Sequence, residues 1–270
     1  MNPVLEKSYK HAYPFRIGTT SYIYPDHILP NVKMLAPYLD EIELLIFESD
    51  SKDTFLTKHG IENLLLLSEE FDLTYNIHLP LDISLSDKDP AGRIHAVETM
   101  QRLIDLAAPL SPSSYTLHLP YDDLSRKAEH IKKWQDIIYK SMERLLSFGM
   151  DGQTISIETL DYPIEWADKV INDFNLSVCI DIGHLIVNGY DIEAVFGRYG
   201  NITTVIHLHG VENMKDHLAL SRMPEKKMDI IIDILKRFTG TLSLEVFSYE
   251  HLSDSLKFLE ICWKRLEKGE

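Results

Sequence analysis

Cysteine is scarce in this chain. Only Cys179 and Cys262 occur among its 270 residues, so no disulfide framework and no paired-cysteine metal motif can be read from it. A reducing cytoplasm is the expected home. Long apolar runs are missing too. The longest, such as NLLLL at 63–67, fall far short of the ~20 residues that a membrane helix needs, so no membrane partner is expected. The opening MNPVLEKSYKHAYPF has no apolar segment of the signal-peptide kind. Basic charge is also in deficit. The 27 Lys and Arg stand against 42 Asp and Glu, for a formal net charge of −15, and no basic cluster exceeds pairs such as Lys132-Lys133 and Lys226-Lys227. Nucleic-acid binders draw much of their affinity from neutralising phosphates, so a nucleic-acid partner is disfavoured, and the acidic surface reads most simply as a solubility device. Glycine-rich loops, Pro/Ser-rich linkers and low-complexity segments are absent as well, which points to one domain.

What the chain has is alternation. Eight short runs rich in β-branched and aromatic residues read as strands: FRIGTTSY (15–22), IELLIFES (42–49), TYNIHLP (74–80), YTLHLP (115–120), TISIETL (154–160), SVCIDIGH (177–184), TTVIHLHG (203–210) and TLSLEVF (241–247). Helical periodicity fills segments between and after them, notably 58–71, 91–108, 126–148, 226–238 and 250–267. Gly152, Gly200 and Gly240 stand just before strands five, seven and eight, where a helix end or an αβ turn favours glycine. Eight strand–helix units in about 250 residues match an α/β fold, a single (β/α)8 TIM barrel with parallel strands. A doubly wound sheet would favour a Gly-rich phosphate turn, and GTTSY carries one glycine only. The expected organisation is an N-terminal arm over 1–14 and a barrel over 15–270.

Barrel chemistry sits at the C-terminal strand ends. Reading those ends gives Glu48, His78, His118, Glu158, Asp181 with His184, His207 with His209, and Glu245. Residues two positions earlier share the inward face: Ile46, Asn76, Thr116, Ser156, Cys179, Val205 and Ser243. Six of the 12 histidines (78, 118, 184, 207, 209 and 217) fall at or just beyond strand ends. Each alone has a plain structural reading: a hydrogen-bonded histidine, a salt-bridging Glu158, a helix-capping Asp181. Together they are different. Converging carboxylates repel one another unless positive charge sits among them, and a mixed His/carboxylate shell suits Zn²⁺, with Mn²⁺ or Fe²⁺ as alternatives. His209 reads equally as a further ligand, a substrate contact or a loop residue. Thr19 and Tyr22 follow strand one at the same mouth and, with Glu48, are candidate substrate contacts.

The order His, His, Glu, Asp-x-x-His, His, Glu over strands three to eight resembles the xylose-isomerase-like, endonuclease-IV-like barrel superfamily, from Phe15 to the C-terminus. In its endonuclease-like branch the matching positions bind up to three zinc ions. The resemblance implies that His78, His118 and Glu158 hold one ion, that Glu158, Asp181, His207 and Glu245 hold another, and that His184 and His217 serve a third. It also implies catalytic parts for Glu158, Glu245 and His184. The chain departs from that branch at Lys215-Asp216-His217, where the branch has an Asp-x-His pair.

The N-terminal third, GTTSYIYPDHILPNVKMLAPYLDEIELLIFES followed by IHLPLD and LHLP, is similar to the cobamide-remodelling phosphodiesterases of this superfamily. That likeness implies hydrolysis of the nucleotide-loop phosphoester of cobamides (B12-type corrinoids such as coenzyme B12 or pseudo-B12) to cobinamide phosphate and a lower-base nucleoside. The rivals are a single-metal sugar isomerase or epimerase, a DNA-repair AP endonuclease disfavoured by charge, and a corrinoid-binding protein without turnover.

Overall fold

A computed structural model describes residues 2–49 and 56–267 of the chain. Its ten strands are β1 (Arg16–Thr20), β2 (Glu41–Leu45), β3 (Thr74–His78), β4 (Tyr115–Leu117), β5 (Ile155–Glu158), β6 (Ser177–Asp181), β7 (Thr203–Leu208), β8 (Gly210–Glu212), β9 (Lys215–Leu218) and β10 (Thr241–Leu244). The α-helices are α1 (Ile28–Leu35), α2 (Lys58–Phe71), α3 (Pro90–Ala107), α4 (Ala128–Leu146), α5 (Asp168–Asp173), α6 (Ile182–Val187), α7 (Ile192–Tyr199), α8 (Glu225–Leu235) and α9 (Tyr249–Glu267). Eight strands close a parallel barrel in the order β1-β10-β7-β6-β5-β4-β3-β2, the TIM barrel that the alternation predicts. Short antiparallel β8 and β9 form a separate hairpin between β7 and α8, which the sequence pattern does not reveal.

Local chemistry explains the helices. Thr57 caps α2 by accepting from the Gly60 N–H at 3.0 Å, and Ile61, Leu64 and Leu67 then fall on one buried stripe. Asp89-Pro90 opens α3 in the same manner, with proline where no N–H is needed. In α4, Trp134, Ile138, Met142 and Leu145 face the barrel, and each such burial is worth roughly 1.5–3 kcal/mol. Gly152 and Gly240 do sit in turns before strands. Their conformations are not left-handed; a Cβ there would meet the carbonyl oxygens of Phe174 and Thr204 at 2.0 and 2.3 Å.

The outward strand faces (Ile42, Leu44, Tyr75, Ile77, Ile155, Ile157) make the main apolar core against the helices. The barrel interior is polar instead. At its closed end Glu41 accepts from Thr74 Oγ1 (2.6 Å), Asn76 Nδ2 (2.9 Å) and Ser113 Oγ (2.8 Å), with Arg16 Nε at 3.1 Å. One level up, Ser114 and Ser156 share a hydrogen bond of 2.6 Å. The β6–β7 register shifts beside Thr204, which turns both the Thr204 hydroxyl and, further on, His207 into the barrel.

The arm packs as part of the structure. Leu5 and Tyr9 are buried, the Tyr24 hydroxyl donates to the Pro3 carbonyl at 2.8 Å, and the Tyr249 hydroxyl donates to the Val4 carbonyl at 2.8 Å. Among the described residues no helix is long and apolar enough to cross a membrane.

Candidate metal centre

The strand ends bring four overlapping ligand groups together on the C-terminal face. In each, the ligand-capable atoms lie within 4.8 Å of one another: His78, His118 and Glu158; Glu158, Asp181, His207 and Glu245; Glu158, Cys179 and His207; and His184, His209 and His217. Glu158 belongs to three of these groups, and its two oxygens face different sides of the cluster. Oε2 stands 3.1 Å from His78 Nε2 and 2.9 Å from His118 Nε2, whereas Oε1 faces His184 Nδ1 at 3.4 Å and His207 Nδ1 at 3.6 Å. Glu245 Oε2 closes the ring 3.3 Å from His207 Nδ1.

Backbone carbonyls fix the imidazole tautomers, because a carbonyl can only accept. The Nδ1–H of His78 donates to the Leu79 carbonyl (3.0 Å), that of His184 to Thr159 (3.0 Å), and that of His217 to Glu245 (3.1 Å). Each therefore keeps Nε2 for a metal ion. His207 is reversed. Its Nε2 faces Glu43 Oε1 at 3.0 Å, which leaves Nδ1 toward the ligand carboxylates.

Electrostatics bind the cluster together. Burial pushes the Glu158 carboxyl up, but the His118 and His207 imidazoles outweigh it and hold the group well below the usual carboxylate range. Asp181 is likewise held down by His209 and His184 against the opposing effect of burial. Burial disfavours the charged form of His184, yet Asp181, Glu158 and Glu245 raise its imidazole to about 9. Here imidazolium protons balance the carboxylates, the part that divalent cations take in a metal site. The donor set of imidazoles and carboxylates fits Zn²⁺, Mn²⁺ or Fe²⁺.

Exposure shows which side is open. The side chains of Glu158, Asp181, His78 and His207 are at most 2% exposed, whereas His118, His184 and His217 are 25, 21 and 29% exposed. The open side of the cluster is therefore the one these three histidines line. Beyond the β3 and β4 ends lies a cavity of about 500 Å³ lined by Leu81, Ser86, Pro120, Tyr121, His130 and Lys133, among others.

Several expected contacts are placed otherwise. Thr19 is fully buried, with its hydroxyl donating to the Leu244 carbonyl at 2.7 Å across the barrel seam. His209 is fully buried too, with its Nε2 toward Asp181. Glu48 lies beyond the end of β2, exposed and outside the ligand groups, because the strand stops at Leu45. Tyr22 is half-buried against Phe47 (ring centroids 4.8 Å apart), and burial, reinforced by Glu48, raises its phenol. Ile46 joins Ile42 and Leu44 in the outer core, and the inward positions of β2 are Glu41 and Glu43.

Glu43 is what the sequence reading missed. It is fully buried, with Oε2 accepting from Ser243 Oγ at 2.5 Å while Oε1 faces His207. Burial pushes its carboxyl up, and His207 outweighs this and lowers it. A carboxylate behind an imidazole orients the ring and raises its basicity as a ligand. The available signal was the Glu41-x-Glu43 spacing of two within a strand.

The residues 39–262 match the family model described as xylose isomerase-like TIM barrel, and the chain belongs to that family. No curated protein sequence matches it. Among solved structures, a D-tagatose 3-epimerase-like protein superposes with a TM-score of 0.78 at 17% identity, over 94% of this chain and 99% of that one. The 3-keto-D-glucoside 4-epimerase YcjR from E. coli gives 0.70 at 13% identity, over 92 and 100%. The IOLI protein, solved with a binding zinc atom, gives 0.66 at 15%, over 93 and 96%. At such identities the likeness is one of fold.

Proposed function

We propose that this chain is a metal-dependent phosphodiesterase that hydrolyses the nucleotide-loop phosphoester of cobamides, releasing cobinamide phosphate and the lower-base nucleoside for corrinoid remodelling. The observation that carries the hydrolytic part is Glu158. Its two oxygens face two different ligand groups, the arrangement of a carboxylate shared by two ions. The cobamide part rests on the likeness of residues 18–49, IHLPLD and LHLP to the remodelling phosphodiesterases.

When bound, a pair of divalent ions supplies Lewis acidity and a nucleophile active at neutral pH, which in-line phosphoester hydrolysis needs. His78, His118 and Glu158 would hold one ion; Glu158, Asp181, His207 and Glu245 would hold its neighbour. Glu158, common to both sets, would contribute to holding each ion. Glu43 holds the His207 ring, and the half-open His118, His184 and His217 present the side on which the phosphoester is received. The cavity lined by Leu81, Pro120 and Tyr121 gives room for a non-reacting part of an extended substrate.

A second reading has an observation of its own. Glu158, Asp181, His207 and Glu245 form a complete four-residue set for one ion without His78 or His118, as a single-metal sugar isomerase or epimerase requires. Solved structures with this fold include a D-tagatose 3-epimerase-like protein and a 3-keto-D-glucoside 4-epimerase. Incubation of the zinc-loaded protein with coenzyme B12, read by mass spectrometry, separates the two. Cobinamide phosphate and free nucleoside are expected, with turnover abolished in Glu158→Gln. An unchanged corrinoid together with an epimerised ketose would establish the second reading.

A further inference from the structure

Proximity alone makes His184, His209 and His217 a three-histidine site, with ligand-capable atoms within 4.8 Å. The hydrogen bonds around His209 say otherwise. Its Nδ1 lies 2.9 Å from the backbone nitrogen of His217, and a backbone N–H can only donate. Nδ1 is therefore an acceptor lone pair, and the ring proton belongs on Nε2. That nitrogen points at the Asp181 carboxylate, 3.2 Å from Oδ1 and 3.3 Å from Oδ2. Neither nitrogen has a lone pair left for a metal ion.

The surroundings are shaped to hold the ring there. His209 is fully buried. A Cβ on Gly183 would fall 1.9 Å from its Cε1, so the ring sits flush on the backbone between Asp181 and His184. The His217 N–H that it receives belongs to a residue at φ +51°, a conformation that non-glycine residues adopt only where the structure enforces it. Asp181 Oδ1 also accepts the His184 N–H at 2.7 Å, so the carboxylate is gripped from two sides.

We infer that His209 is a positioning residue and not a ligand: it clamps the hairpin that carries His217 to the metal-facing carboxylate of Asp181, through a tautomer locked by the His217 N–H. The inference rests on the metal-centre reading above and is independent of the substrate.

The test is the count of bound ions and the dissociation constant for Zn²⁺ by competition with a chromophoric chelator, with the Co²⁺ absorption spectrum as a second readout. His209→Ala is expected to bind the full number of ions about 10–100-fold more weakly, as loss of a ligand's supporting partner does. His209→Gln restores a donor near the Nε2 position and is expected to return close to wild type in affinity and Co²⁺ spectrum. Loss of one ion in both variants would make His209 a ligand and overturn the inference, and so would wild-type affinity in His209→Ala. If the alanine variant does not fold, the glutamine variant decides by the same criterion: full count supports the clamp, one ion fewer overturns it. Wild-type protein that binds no divalent ion would instead overturn the metal centre itself.

Discussion

A buried carboxylate facing one nitrogen of an imidazole leaves that ring a single face to offer, and Glu43 does this for His207. Removing the carboxylate's charge while keeping its shape isolates that effect. Glu43→Gln is expected to fold and to weaken metal binding by about 10–100-fold. Glu43→Ala, which leaves His207 Nε2 and Ser243 Oγ without a buried partner, is expected to lose about 3–5 kcal/mol of stability as well. Chelator competition and urea denaturation check the two, and equal affinity in wild type and Glu43→Gln would remove Glu43 from the metal site. The contrast between Glu43 and the residues of the ring shows what a sequence discloses at this scale. His78, Glu158 and Asp181 end their strands, His207 stands one residue short of its strand's end and His118 one residue past its own, where their chemical type alone marks them. Glu43 lies inside a strand whose apolar run continues past the strand's end to Phe47, so its inward direction depends on a pairing register that only the closed barrel sets.

At the scale of elements, strand and helix periods are strong signals, and the eight strand runs and five helical segments correspond to elements of the structure. The β8–β9 hairpin is different. Its strands are three and four residues long, too short for a period to show, and its turn uses Asn213 and Met214 at φ +54° and +64°, where Met214 gives no hint of a left-handed turn. The hairpin nevertheless delivers His217. It is anchored at Gly210, where a Cβ would lie 2.0 Å from the Ala219 carbonyl oxygen. Gly210→Ala must therefore push the hairpin off the barrel mouth. The expected outcome is loss of whichever ion His217 serves, with the remaining ions and the far-UV spectrum retained; an unchanged ion count would separate the hairpin from the metal centre.

Across the whole molecule, on the metal-centre reading, protons and cations compete for one polar interior. His184, raised to about 9, contributes stability that is complete below its unfolded value of ~6.5 and is lost as pH rises through about 9. The metal-free protein is thus expected to show a falling Tm over that window. The metal-loaded protein, in which cations replace the protons, is expected to show a flatter profile and an affinity that tightens with pH. Parallel profiles with and without chelator would mean that the cluster takes up no cation. The barrel itself was legible because eight alternations in this length leave few other architectures. The seam that closes it pairs the first strand with the last: Thr19 and Thr20 bond the carbonyls of Leu244 and Val246, and Lys7 and Lys257 tie the arm and α9 to each other through Glu260 and Glu6. His78 thus stands on the third barrel strand and Glu245 follows the last, so the shared set around Glu158 comes into being only when the first and last barrel strands pair. An ion held by that set would be captured only by a closed barrel, and an open one would carry most of these residues without their arrangement.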